Sequence, residues 1–139
     1  MKAMSFALFV ALLMVGCGED SPSTGDPKLD KFLAEAIDWD SVQKRGDEGK
    51  ELLYAPNEQT PFTGWAKMVY YNGQVKDLIQ VKDGKLDGPW THWYIYGQKS
   101  TEVINKDGNV ISAATWKPNG KKCPHTNVVD GNGVVVLYD

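Results

Sequence analysis

The chain has 139 residues with 15 basic and 18 acidic groups, a net charge of −3, 42% hydrophobic residues and 11% aromatic ones. That length suits a single domain. The mild acidity and scattered lysines exclude the basic face that nucleic-acid binding requires, and no run of lysine and arginine forms a polybasic membrane patch.

Met1 and Lys2 give a short positive start, followed by an uncharged run from Ala3 to Val15 that contains Phe6, Leu8, Phe9, Val10, Leu12 and Leu13. A membrane-spanning helix needs about 20 apolar residues, whereas an export signal needs an apolar core of only about 7–15. The run is therefore read as a signal. Met14-Val15-Gly16-Cys17 resembles the lipobox of bacterial lipoproteins, with Met14 where that pattern more often has leucine. The resemblance implies cleavage after Gly16 and acylation of Cys17, which becomes the first residue of an envelope protein held to the membrane by its acyl chains. Several chains at roughly 0.8 kcal/mol per buried methylene make such attachment close to permanent. Gly18 after the cysteine, in place of Asp, implies an outer membrane facing the periplasm if the cell is Gram-negative. With Cys17 acylated, Cys123 has no disulfide partner and is read as a small buried hydrophobe. The Cys123-Pro124-His125 sequence raises thiolate activation as the other use.

Residues 17–25 are then the lipidated cysteine and a flexible tether of Gly, Ser, Thr, Pro and acidic residues. Asp26-Pro27 opens a helix, Asp26 as N-cap and Pro27 at the first helical position. Leu29, Phe32, Leu33, Ala36 and Ile37 form one apolar stripe, so a helix over 27–37 is expected, and at that length its stripe must pack on the body of the domain. Within residues 26–61, Val42–Lys44 and Glu51–Tyr54 read as short strands.

From Gly64 on, turn signals recur at Asn72-Gly73, Asp83-Gly84, Tyr96-Gly97, Asp107-Gly108, Asn119-Gly120 and Asp130-Gly131. Alternate glycines are 24 or 23 residues apart, so one hairpin is one repeat. Asn-Gly and Asp-Gly favour tight hairpin turns in which both central residues take positive φ. The segments between are rich in β-formers: 65–71, 77–81, 90–96, 101–104, 109–116 and 134–138. The expected fold is mainly β, an antiparallel β-meander of repeated hairpins in a single sheet with one short N-terminal amphipathic helix. Val69, Trp93 and Trp116 each stand four residues before a turn glycine, and Tyr70 and Tyr94 three before, which predicts a ladder of large side chains across the sheet.

Trp90-Thr91-His92-Trp93-Tyr94-Ile95-Tyr96-Gly97-Gln98-Lys99, preceded by Asp83-Gly84-Lys85-Leu86-Asp87-Gly88, resembles the variant MORN repeat of bacterial proteins. Gly64-Trp65 with Tyr70-Tyr71-Asn72-Gly73-Gln74-Val75-Lys76 matches as an earlier copy. The third copy departs, with Ser112 where a glycine belongs and Lys117-Pro118 interrupting the aromatic strand. The resemblance covers residues 62–139 and implies the fold above and an interaction or spacing surface.

Sites of catalysis are not visible. His92 and His125 lack neighbouring ligands at metal spacing, Asp83, Asp87, Asp107 and Asp130 read as turn residues, and no nucleophile, phosphate-loop or dinucleotide motif occurs. The reading is of a non-enzyme without cofactor, metal or evident small-molecule substrate. Trp65, Trp90, Trp93, Tyr94 and Tyr96 are the residues suited to a binding surface, if they are not the module's own core. The expected function is a tethered lipoprotein whose MORN-like domain binds or scaffolds another envelope protein. The alternative, from resemblance to YwqK-type antitoxin repeats, is an immunity protein that neutralises a toxin.

Overall fold

A computed structural model describes residues 22–138. The export-signal run, the lipobox and Cys17 lie outside the described residues, and among those described no helix is long and apolar enough to cross a membrane.

Helix α1 spans Pro27–Glu35, with the Asp26 side chain accepting from the Lys28 amide at its N-terminus. It is two residues shorter than its apolar stripe, because Ala36 is extended (φ −73°, ψ 137°) and Ile37 begins β1 (Ile37–Asp38), which pairs in parallel with the first strand of the repeat region. A β-branched residue gains more from that pairing than from a fraying last turn. Ser23 and Thr24, expected in the tether, are drawn onto the helix: the Thr24 amide and both hydroxyls donate to the Asp30 carboxylate at 2.6–2.8 Å. Those bonds, the Thr24 amide foremost, hold the Asp30 acid below its usual range.

A 3-10 turn (Trp39–Ser41) leads to β2 (Gln43–Arg45) and β3 (Leu52–Tyr54), which pair antiparallel as a separate two-stranded sheet. The repeat region follows as β4 (Gly64–Val69), β5 (Val75–Lys82), β6 (Lys85–Trp93), β7 (Lys99–Lys106), β8 (Asn109–Thr115), β9 (Asn127–Val129) and β10 (Asn132–Val134). With β1 they make an eight-stranded sheet ordered β1-β4-β5-β6-β7-β8-β9-β10, antiparallel except at β1. This is the meander that the turn spacing predicts.

The turns are of two kinds, not one. At Asp83-Gly84, Asp107-Gly108 and Asp130-Gly131 both residues have positive φ, as a two-residue hairpin turn requires. At Gly73, Gly97 and Gly120 only the glycine does. There a three-residue turn closes with Tyr70 N–H donating to Gln74 O and Gly73 N–H to Tyr70 O, and the same pair of bonds recurs at Tyr94 and Lys117. Confining the left-handed conformation to glycine lets Tyr96 occupy the place that Asn72 and Asn119 hold elsewhere.

Two hydrogen bonds tie each copy to the next. Tyr70 Oη donates to Trp93 O, and Tyr94 Oη to Trp116 O, each at 2.8 Å. At the other end of the strands the Asp83 amide donates to Thr63 Oγ1, and, 24 residues on, the Asp107 amide donates to Asp87 Oδ2. The expected ladder therefore runs through hydroxyl-to-carbonyl bonds and not through side-chain stacking: Trp93 is buried, but Val69 is exposed. In the third copy Lys117 stands where the tyrosine should be and Ile111 where Thr63 and Asp87 stand, so neither tie forms. The final segment departs accordingly. Only Val134 of the expected strand 134–138 is in β10; Val136 N–H donates instead to Thr126 Oγ1 at 3.1 Å, a side chain taking the place of a ladder.

The row Leu78-Thr91-Glu102-Ala114 marks one face of the sheet. On it α1 buries Leu33 and Ala36 against Leu78, Val75 and Trp93, with Phe32 stacked on Trp65 at 4.6 Å. A helix of nine residues is stable only through such burial, at roughly 25 cal/mol per Å² of apolar surface.

Candidate functional site

The opposite face carries the rows Asp77-His92-Thr101-Thr115 and Ile79-Trp90-Val103-Ala113. Alternation along β5 turns Asp77 inward, where it is 2% exposed. Trp90 Nε1 donates to Asp77 Oδ1 at 2.7 Å, and His92 Nδ1 to the same oxygen at 2.9 Å. A carboxylate only accepts, so Nδ1 carries a hydrogen. Oδ2 accepts no hydrogen bond among the described residues. No sealed side-chain nitrogen or oxygen lacks a partner among the described residues, so Oδ2 keeps a little accessible surface, and Asp77 lines the space above it.

That space is a cavity of about 340 Å³. Asp77, Trp90, His92, Thr101 and Val103 line it from the sheet, and Val135 and Leu137 line it from the C-terminal segment. Trp90 also borders a smaller void of about 100 Å³ with Trp39, Met68, Ile79 and Leu86. Tyr70 Oη lies 3.5 Å from His92 Nε2, but its hydrogen goes to the Trp93 carbonyl. Burial first, and then the Asp77 charge, holds the Tyr70 phenol above its usual range, so it stays a donor. No serine or cysteine side chain bonds His92 among the described residues. The arrangement offers an anchored acceptor in an apolar recess.

Cys123 is buried, as its reading as a small hydrophobe expects. It is also polarised: Tyr138 Oη lies 3.1 Å from Sγ, and this bond, helped by the His125 and Thr126 amides, lowers the thiol to about 6. His125 acts here through its main chain, and its side chain is exposed.

The five aromatics singled out as a binding surface are dispersed. Trp93 and Tyr94 are core residues at 3% and 8% exposure, and Trp65 is packed under α1. Trp90 is half-buried in the cavity lining; Tyr96 alone is well exposed, stacked on Tyr94 at 5.2 Å. Exposed apolar surface gathers instead at the β10 end. Val129 and Val134 lie on the α1 face beyond the reach of the helix, in register with Ser112 and Asn127, and are 63% and 62% exposed. Leu137 is 69% exposed and lines the cavity. Beyond the β9 pairing, β10 has no second neighbour among the described residues. Sequence reasoning missed both places. Asp77 reads as the start of a strand, and 134–138 as another β-forming segment.

No family model matches the chain, and no solved structure matches it. A stretch of 68 residues, 48% of the chain, is 37% identical to the squalene hopane cyclase afumA of Aspergillus fumigatus, and that match spans 9% of the cyclase. The chain is thus similar to a small part of a much longer protein.

Proposed function

We propose that the chain is a membrane-tethered lipoprotein whose MORN-like β-repeat domain binds another protein of the cell envelope. The observation that carries this reading is the β10 edge, unpaired among the described residues, with Val129 and Val134 exposed beside it. A sheet edge left open beside apolar side chains is a template for strand addition by a partner, with main-chain bonds supplying affinity and side chains supplying choice. The two inter-copy ties, repeated at 24-residue spacing, support reading the sheet as a MORN-like array, and their loss in the third copy accounts for an end that relies on external contacts. The tether reading rests on Met14-Val15-Gly16-Cys17.

Crosslinking followed by affinity capture from the protein's own membranes tests it. A defined protein set recovered with the wild type and lost with Val129→Glu/Val134→Glu supports the reading. A set that is the same for both forms, or empty for both, refutes it. Cys17→Ala, fractionated alongside, should leave the membrane or remain unprocessed.

A further inference from the structure

We propose that the recess over Asp77 is a binding site for a small primary ammonium ion with an apolar body. The lining includes a carboxylate buried to 2% exposure whose two hydrogen bonds both fall on Oδ1. Among the described residues Oδ2 accepts no hydrogen bond, and Asp77 lines the cavity. A buried carboxylate with an empty acceptor calls for a donor, and a charged donor forms the shorter and stronger bond.

No lysine or arginine lines the recess, and the one ion-pair partner of Asp77 among the described residues is His92. His92 cancels the Asp77 charge only when protonated, and no permanently charged side chain lines the recess to do so. The remaining surfaces decide what the cation must carry. Trp90, pinned by its own bond to Asp77, is a rigid aromatic surface, and with Val103, Val135 and Leu137 it favours an apolar body over a hydrated ion. A volume of about 340 Å³ is near the low end of ligand pockets, which suits a small molecule. A metal ion is a poor fit, because one free carboxylate oxygen and one imidazole nitrogen are too few ligands. Val135 and Leu137 belong to a segment held by Thr126 and by the Tyr138–Cys123 contact and not by strand pairing.

The test is a titration of the intact domain followed through the Trp90 indole N–H and His92 ring resonances. The probes are 2-phenylethylammonium, the uncharged 2-phenylethanol and the anion phenylacetate. The amine should give saturable shifts at both residues, with dissociation constants down from about 10 mM, near the weak limit for a ligand of this size. The alcohol should bind at least about tenfold more weakly, the loss of one charge-assisted hydrogen bond, and phenylacetate should not bind. Asp77→Asn keeps the shape and removes the charge, and should weaken the amine about tenfold while leaving the alcohol unchanged. Val103→Phe fills the recess with Asp77 intact and should abolish amine binding, which decides the matter even if the Asp77 variant does not fold. The proposal is overturned if the amine gives no saturable shift, if the alcohol binds equally well, or if Val103→Phe binds the amine like the wild type.

Discussion

The hydroxyl of Tyr70 donates to the main-chain carbonyl of Trp93 at 2.8 Å, joining one hairpin to the next across the sheet. The bond between Tyr94 and Trp116 is its counterpart in the following copy, and Lys117 ends the series. A thin sheet has little depth of core, so each such tie carries weight that a thicker domain would spread over many contacts.

Tyr70→Phe and Tyr94→Phe should each lower unfolding stability by about 1–2 kcal/mol, since a partly buried carbonyl loses its donor. The Tyr94 variant should be the more affected, because that side chain is buried and the Tyr70 side chain only half so. Urea midpoints at constant slope measure it; wild-type midpoints for both would show that the ties contribute nothing.

Gly73 and Gly84 share nearly the same φ, +81° and +78°, in different surroundings. A Cβ on Gly73 would meet nothing within 4 Å, whereas one on Gly84 would lie 2.8 Å from Leu52 Cβ and 3.0 Å from Pro61 Cβ. Gly73→Ala should therefore cost the left-handed strain alone, about 1–2 kcal/mol. Gly84→Ala should cost more and should loosen β3, whose Leu53 amide donates to Gly84 O. Thermal unfolding of the pair checks this, and equal losses would mean that the β2–β3 hairpin is not seated on the turn.

Cys123 should make stability depend on pH. Its thiol lies at about 6 in the fold against an ordinary 9.0, with the Tyr138 hydroxyl as the main cause. A depressed acid stabilises the fold in full above pH 9, loses that contribution as pH falls from 9 to 6, and gives none below 6. Urea midpoints should thus rise between pH 6 and pH 9 in the wild type, rise less in Tyr138→Phe, and lose this component in Cys123→Ala. An identical profile in all three would remove the Tyr138–Cys123 bond from the account.

The meander was legible because turn chemistry is local. Asp-Gly and Asn-Gly impose themselves within a few residues, and their spacing carries the strand order with it. Helix α1 was legible for the same reason at its start, where Asp26 and Pro27 act locally, and less so at its end, where Ile37 answers to Ala66 across the sheet. The recess was not legible. Asp77 looks like any polar strand-opening residue until β6 brings Trp90 and His92 onto one of its oxygens, residues 13 and 15 positions away. Whether the aromatics are core or surface was not legible for a related reason: composition shows that Trp93 and Tyr94 are large and apolar, but only the register shows that α1 and the next copy cover them. The valines at 134–136 carry strand propensity, yet only Val134 is paired, with Asn127, while Val136 bonds the Thr126 hydroxyl, which no strand pattern encodes.

The most direct test of the central claim is photo-crosslinking from position 129 in the protein's own envelope, with position 71 as the control. Val129 and Tyr71 are both exposed, at 63% and 94%, but only Val129 lies at the open β10 end. The account predicts a discrete protein adduct from position 129 that Val134→Glu abolishes, and none of the same mass from position 71. No adduct from 129, or the same adduct from both positions, would contradict it.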